Sequence, residues 1–142
     1  MSFFRVVRVS AADAELLRAA VLEFRGVDVP VAGFLGDPAS LAFVAVDGDA
    51  VVGWVWGVRQ RHVVGYTQVQ LYEIGVLPSV RRRGVGRALL EAFVEVVRAE
   101  GHAKMWLFTS EDNVAAISLY EAAGGRPSLH DDAGYWWSFS SG

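Results

Sequence analysis

The sequence predicts a mixed α/β fold built on a single sheet with helices against it. Three observations carry this. Apolar runs of strand period and stretches of helical period follow one another in the order β-α-(α)-β-β-β-α-β-α-β-β. Short turn signals join several neighbouring strands, as in hairpins. The regular strand–helix alternation of a doubly wound sheet is missing.

Phe4 to Val9 reads as the first strand, and Ser10 as the N-cap of the helix after it. Leu16, Leu17, Ala20, Val21 and Phe24 then recur on one helical face. Gly26 to Asp37 is less regular and has room for a short second helix. Leu41 to Val46 and Val51 to Val58 form a hairpin through Asp47-Gly48-Asp49-Ala50. Gly65 marks a second turn, and Tyr66 to Val76 makes the next strand. A helix follows, with Val85, Ala88, Leu89, Ala92, Phe93, Val96 and Val97 on one stripe and Gly101 at its end. Ala103 to Thr109 is almost wholly apolar, which predicts a central strand. Asn113 caps a helix to Ala123, stopped by Gly124-Gly125. Two short strands, Arg126 to His130 and Tyr135 to Phe139, close the chain.

The 142 residues are expected to form one domain, residues 1–142, with no repeat, low-complexity tract or linker. A content of 53% hydrophobic and 20% charged residues is that of a globular chain, not a disordered one. The apolar stretch Leu41 to Val58 is broken by its turn, so no membrane span is expected. The first residues lack the apolar core and cleavage site of a signal peptide, and cytoplasmic residence is the expectation. With no cysteine, disulfides, thiolate metal sites and cysteine nucleophiles drop out. His62, His102 and His130 have no metal-ligand spacing, so no metal is assigned. A net charge of −3 counts against nucleic acid as a partner.

The stretch that carries chemistry is Arg81-Arg82-Arg83-Gly84-Val85-Gly86, set between the strand ending in Leu77-Pro78-Ser79 and a helix, Arg87 to Glu100. Unpaired N–H groups and the helix dipole converge there on any bound anion, and Gly84 and Gly86 let a pyrophosphate approach the backbone. The three spaced glycines of a dinucleotide fingerprint and the Gly-Lys-Ser/Thr of a Walker loop are both missing. The stretch instead resembles the acetyl-coenzyme A signature of the GNAT superfamily of N-acetyltransferases, Arg/Gln-x-x-Gly-x-Gly/Ala, through Arg81, Gly84 and Gly86. Ile74-Gly75-Val76-Leu77-Pro78 precedes it, and Asn113 to Gly124 is similar to the family's Asn-x₆-Tyr-x₃-Gly segment. The resemblance implies a mostly antiparallel mixed sheet of six or seven strands, splayed between the fourth and fifth, with acetyl-CoA as cosubstrate.

The resemblance also implies roles. Arg81, Arg82, Arg83, Gly84, Val85, Gly86 and Arg87 would hold the pyrophosphate, the arginine side chains adding neutralising charge. Ile74, Gly75 and Val76 would bind the pantetheine arm through freed backbone groups, with Asn113 on the same arm. The Val76 N–H would stabilise the oxyanion. Tyr120 would protonate the departing thiolate; as a bare residue it reads equally as a core aromatic. Glu73, a carboxylate inside an apolar strand, is the candidate base, although alternation allows it either face. Met105 to Thr109 offers no competing acid.

Leu71-Tyr72-Glu73-Ile74-Gly75-Val76 looks most like the aminoglycoside 3-N-acetyltransferases that modify gentamicin-type antibiotics, so a small-molecule amine is the expected partner. A polycationic sugar calls for a carboxylate-lined cleft, which Asp28, Glu73, Glu111, Asp112, Asp131 and Asp132 supply if folding gathers them beside Tyr72. Solvated loops are the alternative for those acids. Trp54 and Trp56 share one face and fit core packing or a homodimer interface. Acceptors of another kind are peptide N-termini or small polyamines. A non-catalytic acyl-CoA-binding module is the reading from another class.

Overall fold

The computed structural model describes residues 3–110, 112–127, 135 and 137–139. The chain runs β1 (Phe4–Arg8), α1 (Ala14–Arg25), α2 (Ala32–Gly36), β2 (Ser40–Asp47), β3 (Ala50–Arg61), β4 (Thr67–Val76), α3 (Val85–Ala99), β5 (Lys104–Trp106) and α4 (Val114–Ala122). The strands form one mixed sheet in the order β1-β2-β3-β4-β5. The first three pairings are antiparallel, and β4 with β5 is parallel.

Strand β2 is apolar and buried from Leu41 to Val46 because both of its faces are covered. Leu41, Phe43 and Ala45 pack toward α3, together with Leu89, Leu90 and Phe93 of that helix. Ala42, Val44 and Val46 pack on the other face with Leu17 and Ala20 of α1 and with Val31. Two glycines of β3 let α3 lie close to the sheet. A Cβ at Gly53 would stand 2.9 Å from Leu89, and one at Gly57 would stand 2.7 Å from Phe93. Fully burying a ring such as Phe93 contributes roughly 1.5–3 kcal/mol, so this interface is a main source of stability.

The helix signals act as the sequence predicts. Ser10 forms a capping box with Asp13, whose carboxylate accepts from the Ser10 N–H at 2.9 Å. Asn113 accepts the N–H of Ala116 at 3.2 Å. Gly101 and Gly124, at φ +78° and +95°, follow α3 and α4. Helix α3 starts at Val85 because Gly84, left-handed at φ +83°, is its N-cap.

The C-terminal part departs from expectation. Five strands form among the described residues, not six or seven. The predicted central strand Ala103 to Thr109 is only β5, and among the described residues it is the last strand of the sheet. Its pairing with β4 lasts three residue pairs, Gln68 with Lys104 through Gln70 with Trp106. Beyond that, no pairing of β4 with the segment after β5 occurs among the described residues. Of the two predicted closing strands, Arg126, Pro127, Tyr135 and 137–139 are not in strands, and the other positions lie outside the described residues.

At the end of the sheet where β4 pairs with β5, Arg59 forks onto Glu100 through Nε at 2.6 Å and Nη2 at 2.7 Å. It also donates to the carbonyls of Pro38 and Ser40. The His102 ring, 7% exposed, bridges Glu100 and Thr67. These bonds clamp the C-terminal end of α3 to β2, β3 and β4. The Arg59 bonds, with help from His102, hold the Glu100 carboxyl down at about 2. A carboxyl lowered in the folded state stabilises it above the ordinary range near 4.5 and loses that effect as pH falls toward about 2. Glu100→Gln is therefore expected to cost about 1–3 kcal/mol at neutral pH. Urea titrations at pH 7 and pH 3 check this, since the gap between variant and wild type should narrow in acid.

No helix among the described residues is long and apolar enough to cross a membrane.

Candidate active site

The basic glycine turn forms a backbone concavity at the start of α3. Leu77 leads into a single 3₁₀ turn, Pro78–Val80, and Arg82 and Gly84 are both left-handed, at φ +68° and +83°. For Arg82, which has a Cβ, that conformation costs roughly 1–2 kcal/mol. Alternating backbone hands turn successive N–H groups toward one side, and no side chain caps the first turn of α3. Gly86 adds space. A Cβ there would be 3.5 Å from both Val76 and Leu119, filling the gap between β4 and α4. Val85 is 2% exposed, so its side chain belongs to the core and only its backbone faces the turn. Arg83 reaches Asp47 at 3.7 Å and Arg87 reaches Glu91 at 2.8 Å. Both pairs are exposed and weak, so either arginine can turn to a phosphate. The concavity, its space and its charge all fit a pyrophosphate.

Ile74, Gly75 and Val76 pair with β3 on one edge, and no strand among the described residues pairs with their other edge. Ile74, Val76, Leu119 and Tyr120 border the same core cluster on the α3 side. Tyr120 also lines a cavity of about 520 Å³ between α3, α4 and the segment after β5, with Leu107 and Thr109. Burial pushes its phenol pKa up, so the hydroxyl keeps its proton at neutral pH. The Asn113 carbonyl is used in capping α4, which leaves its NH₂ group for a ligand.

Glu73 owes its place to a β-bulge. Gly57 pairs with Leu71 and Trp56 with Glu73, so Tyr72 is an extra residue in β4. Strict alternation would put Glu73 on the face of Val69 and Leu71, in the α3 core. The bulge turns both Tyr72 and Glu73 to the α1 face, where they line a cavity of about 370 Å³. There the Trp56 indole donates to Glu73 Oε1 at 3.2 Å, and Arg25 Nη1 lies 3.4 Å from the same oxygen. The Tyr72 ring stacks on Trp56 with centroids 4.6 Å apart. Val29, Val31, Phe34 and Trp54 complete most of the wall. Gly75 faces this side too, its missing Cβ leaving room for Phe24 and the Trp54 indole. The Trp54 N–H is buried without a hydrogen-bond partner among the described residues.

The expected acidic cleft does not assemble from the acids that are described. Asp28 is held by Arg18 in a two-pronged pair, which lowers its carboxyl pKa. Asp112 lies in the exposed loop before α4 and lines neither cavity. Glu111, Asp131 and Asp132 lie outside the described residues. Glu73 is the one carboxylate lining the smaller cavity among the described residues. Sequence reading missed Arg25, which no local pattern distinguishes from a solvated helix end. The core reading of Trp56 holds in part, since it packs against the α1-side cluster, but its hydrogen bond to Glu73 depends on the β4 bulge and was not legible in the sequence.

A family model described as the acetyltransferase (GNAT) family matches residues 12–124. A mycothiol acetyltransferase of Nocardia farcinica is 33% identical over 142 residues, covering 88% of this chain and 45% of the relative. The ribosomal protein bS18-alanine N-acetyltransferase of Escherichia coli is 42% identical over 57 residues, covering 40% of this chain and 38% of the relative. The chain thus spans less than half the length of these curated relatives, and 26% of one mycothiol acetyltransferase from Renibacterium salmoninarum. Among solved structures, an aminoglycoside N-acetyltransferase in complex with CoA superposes with a TM-score of 0.78 at 19% identity, covering 99% of this chain and 97% of the other. With a family-model match over most of its length, and with the mixed sheet and glycine turn in place, the chain belongs to the GNAT family of acetyltransferases.

Proposed function

We propose that this chain acetylates a primary amine by direct attack of the amine on acetyl-CoA. One observation carries the reading: the edge of Ile74–Val76, which no strand among the described residues pairs, lies between the anion cradle at the start of α3 and the Glu73 cavity on the opposite face. Donor and acceptor entering from the two faces would meet at that edge.

Acetyl-CoA supplies the activated acetyl group. The N–H groups from Arg82 to Arg87, with the side chains of Arg81, Arg82, Arg83 and Arg87, would hold its pyrophosphate. The edge of Ile74–Val76 and the Asn113 amide would hold the pantetheine, and the Val76 N–H would meet the negative charge growing on the carbonyl oxygen. Glu73 Oε1 is occupied by Trp56 and Arg25, which leaves Oε2 to take a proton from the arriving ammonium. The freed nitrogen pair then forms the N–C bond as the C–S bond breaks and its electrons leave on sulfur. Tyr120 protonates the thiolate, and the nitrogen sheds its second proton. The products are an amide, a free thiol and one released proton. With no cysteine in the chain, no thiol-borne acetyl-enzyme can form.

Two acceptor readings compete. A gentamicin-type aminoglycoside is supported by the segment Tyr72 to Val76 and by the fold shared with an aminoglycoside N-acetyltransferase. The cavity wall formed by the described residues supports a single amine on an apolar body, because a polycation calls for several carboxylates and Glu73 is the one among them. We adopt the second.

Thiol release from acetyl-CoA with aminoglycosides, polyamines, peptides and aryl-alkyl amines tests the reaction. Turnover with an amine is expected. Gly86→Val is expected to raise the KM for acetyl-CoA about tenfold or more, equal to about 1.4 kcal/mol of binding. Binding of acetyl-CoA without thiol release from any amine would favour the non-catalytic module.

A further inference from the structure

Among the described residues, the acceptor cavity presents one positive and one negative group side by side on an otherwise largely apolar wall. Arg25 and Glu73 meet at 3.4 Å, their side chains 59% and 24% exposed, so the arginine is the solvent-facing member. Trp56 fixes the carboxylate from beneath. Around the pair stand Val29, Phe34 and the stacked rings of Trp56 and Tyr72. A carboxylate with a neighbouring guanidinium mirrors a molecule whose ammonium and carboxylate are separated by one carbon. The aromatic and branched wall beside it calls for an apolar side chain. At about 370 Å³ the cavity lies near the small end of ligand pockets, which run from roughly 300 to 1,000 Å³.

From this we infer that the acceptor is a free α-amino acid with an aromatic or branched apolar side chain. Its ammonium lies at Glu73, its carboxylate on Arg25, and its side chain against Trp56 and Tyr72. The inference rests on the N-acetyltransferase reading and specifies the acceptor within it. The chemistry is unchanged: the α-nitrogen gains the acetyl group, CoA leaves as the thiol, one proton is released, and the carboxylate stays intact. Arg25 is a positioning residue, since a guanidinium forks onto a carboxylate with a geometry that an ammonium cannot reproduce.

The decisive comparison is thiol release with L-phenylalanine and L-leucine against L-phenylalaninamide, phenethylamine, sisomicin and an alanine-terminated peptide. The free acids are expected to exceed the amide in kcat/KM by about tenfold or more, through KM rather than kcat, as one charge-assisted pair allows. Arg25→Gln should bring the ratio of acid to amide down to near one, and Arg25→Lys should restore part of it. Equal turnover of acid and amide in the wild-type protein, or best turnover with sisomicin or the peptide, overturns the amino-acid acceptor and leaves the acetyltransferase standing. An unchanged ratio in Arg25→Gln overturns the assignment to Arg25. Thiol release with none of these amines overturns both readings.

Discussion

Glu73→Gln is expected to lower kcat/KM by roughly 10²- to 10⁴-fold, the range over which a positioned general base acts. The substitution is nearly isosteric, and an amide oxygen can still accept the Trp56 indole N–H that the carboxylate accepts at 3.2 Å. Fold and acetyl-CoA affinity should therefore survive, and the loss should fall on the step that takes the proton. A further signature separates this role from a structural one. As the pH approaches the amine's own pKa, unprotonated acceptor becomes abundant, and the gap between variant and wild type should narrow. Steady-state kinetics from pH 6 to 10 on both proteins is the check. A variant as active as the wild type at neutral pH would remove Glu73 from the mechanism.

Gly57→Ala is expected to produce the largest loss of stability. The added Cβ would lie 2.2 Å from the carbonyl oxygen of Gln70 and 2.7 Å from the Phe93 ring. Neither neighbour can yield easily. Gln70 is bound into β4, itself paired on both sides at that level, and Phe93 is fully buried. Such overpacking against backbone is expected to cost about 3 kcal/mol or more, near 10 °C in melting temperature for a chain of this size. Gly33→Ala, whose Cβ would meet open space, is the control and should stay within about 0.5 kcal/mol. Because Gly57 pairs with Leu71 next to the bulge, whatever Gly57→Ala protein still folds should also lose activity. Thermal melts with thiol-release assays below the transition test both effects.

How far the sequence could be read depended on the range of the interactions that set each feature. Local chemistry was legible. The stripe of α3, the Ser10 and Asn113 caps and the turn at Gly48 emerged where the residue types placed them, since caps and turns are decided within a few residues. The glycine turn was legible for the same reason. Its left-handed Arg82 was not, because nothing in an arginine announces φ +68°. Longer-range features were hidden. Ala103 to Thr109 has strand composition throughout, yet a strand lasts only as long as its neighbour accompanies it, and β4 does so for three residues. The apolar run of β4 gives no sign that Tyr72 is an extra residue, although that one residue decides the face on which Glu73 lies. Arg25 reaches Glu73 across 48 positions, and Asp28 is taken up by Arg18 across ten. Counting acids along the chain could not anticipate either partnership.

The bulge in β4 also separates two tasks that might have been entangled. In the proposed reaction, donor-side contacts would depend on the edge and the α3-facing side of Ile74 and Val76, whereas acceptor contacts would lie on the opposite face with Tyr72, Glu73 and the segment from Arg25 to Phe34. Substitutions in that segment can alter the choice of amine while the nucleotide handle stays untouched. A library confined to positions 25–34 should therefore yield altered acceptor repertoires with unchanged acetyl-CoA affinity. On that reading, one inserted residue would make donor and acceptor recognition separately evolvable traits of a single strand.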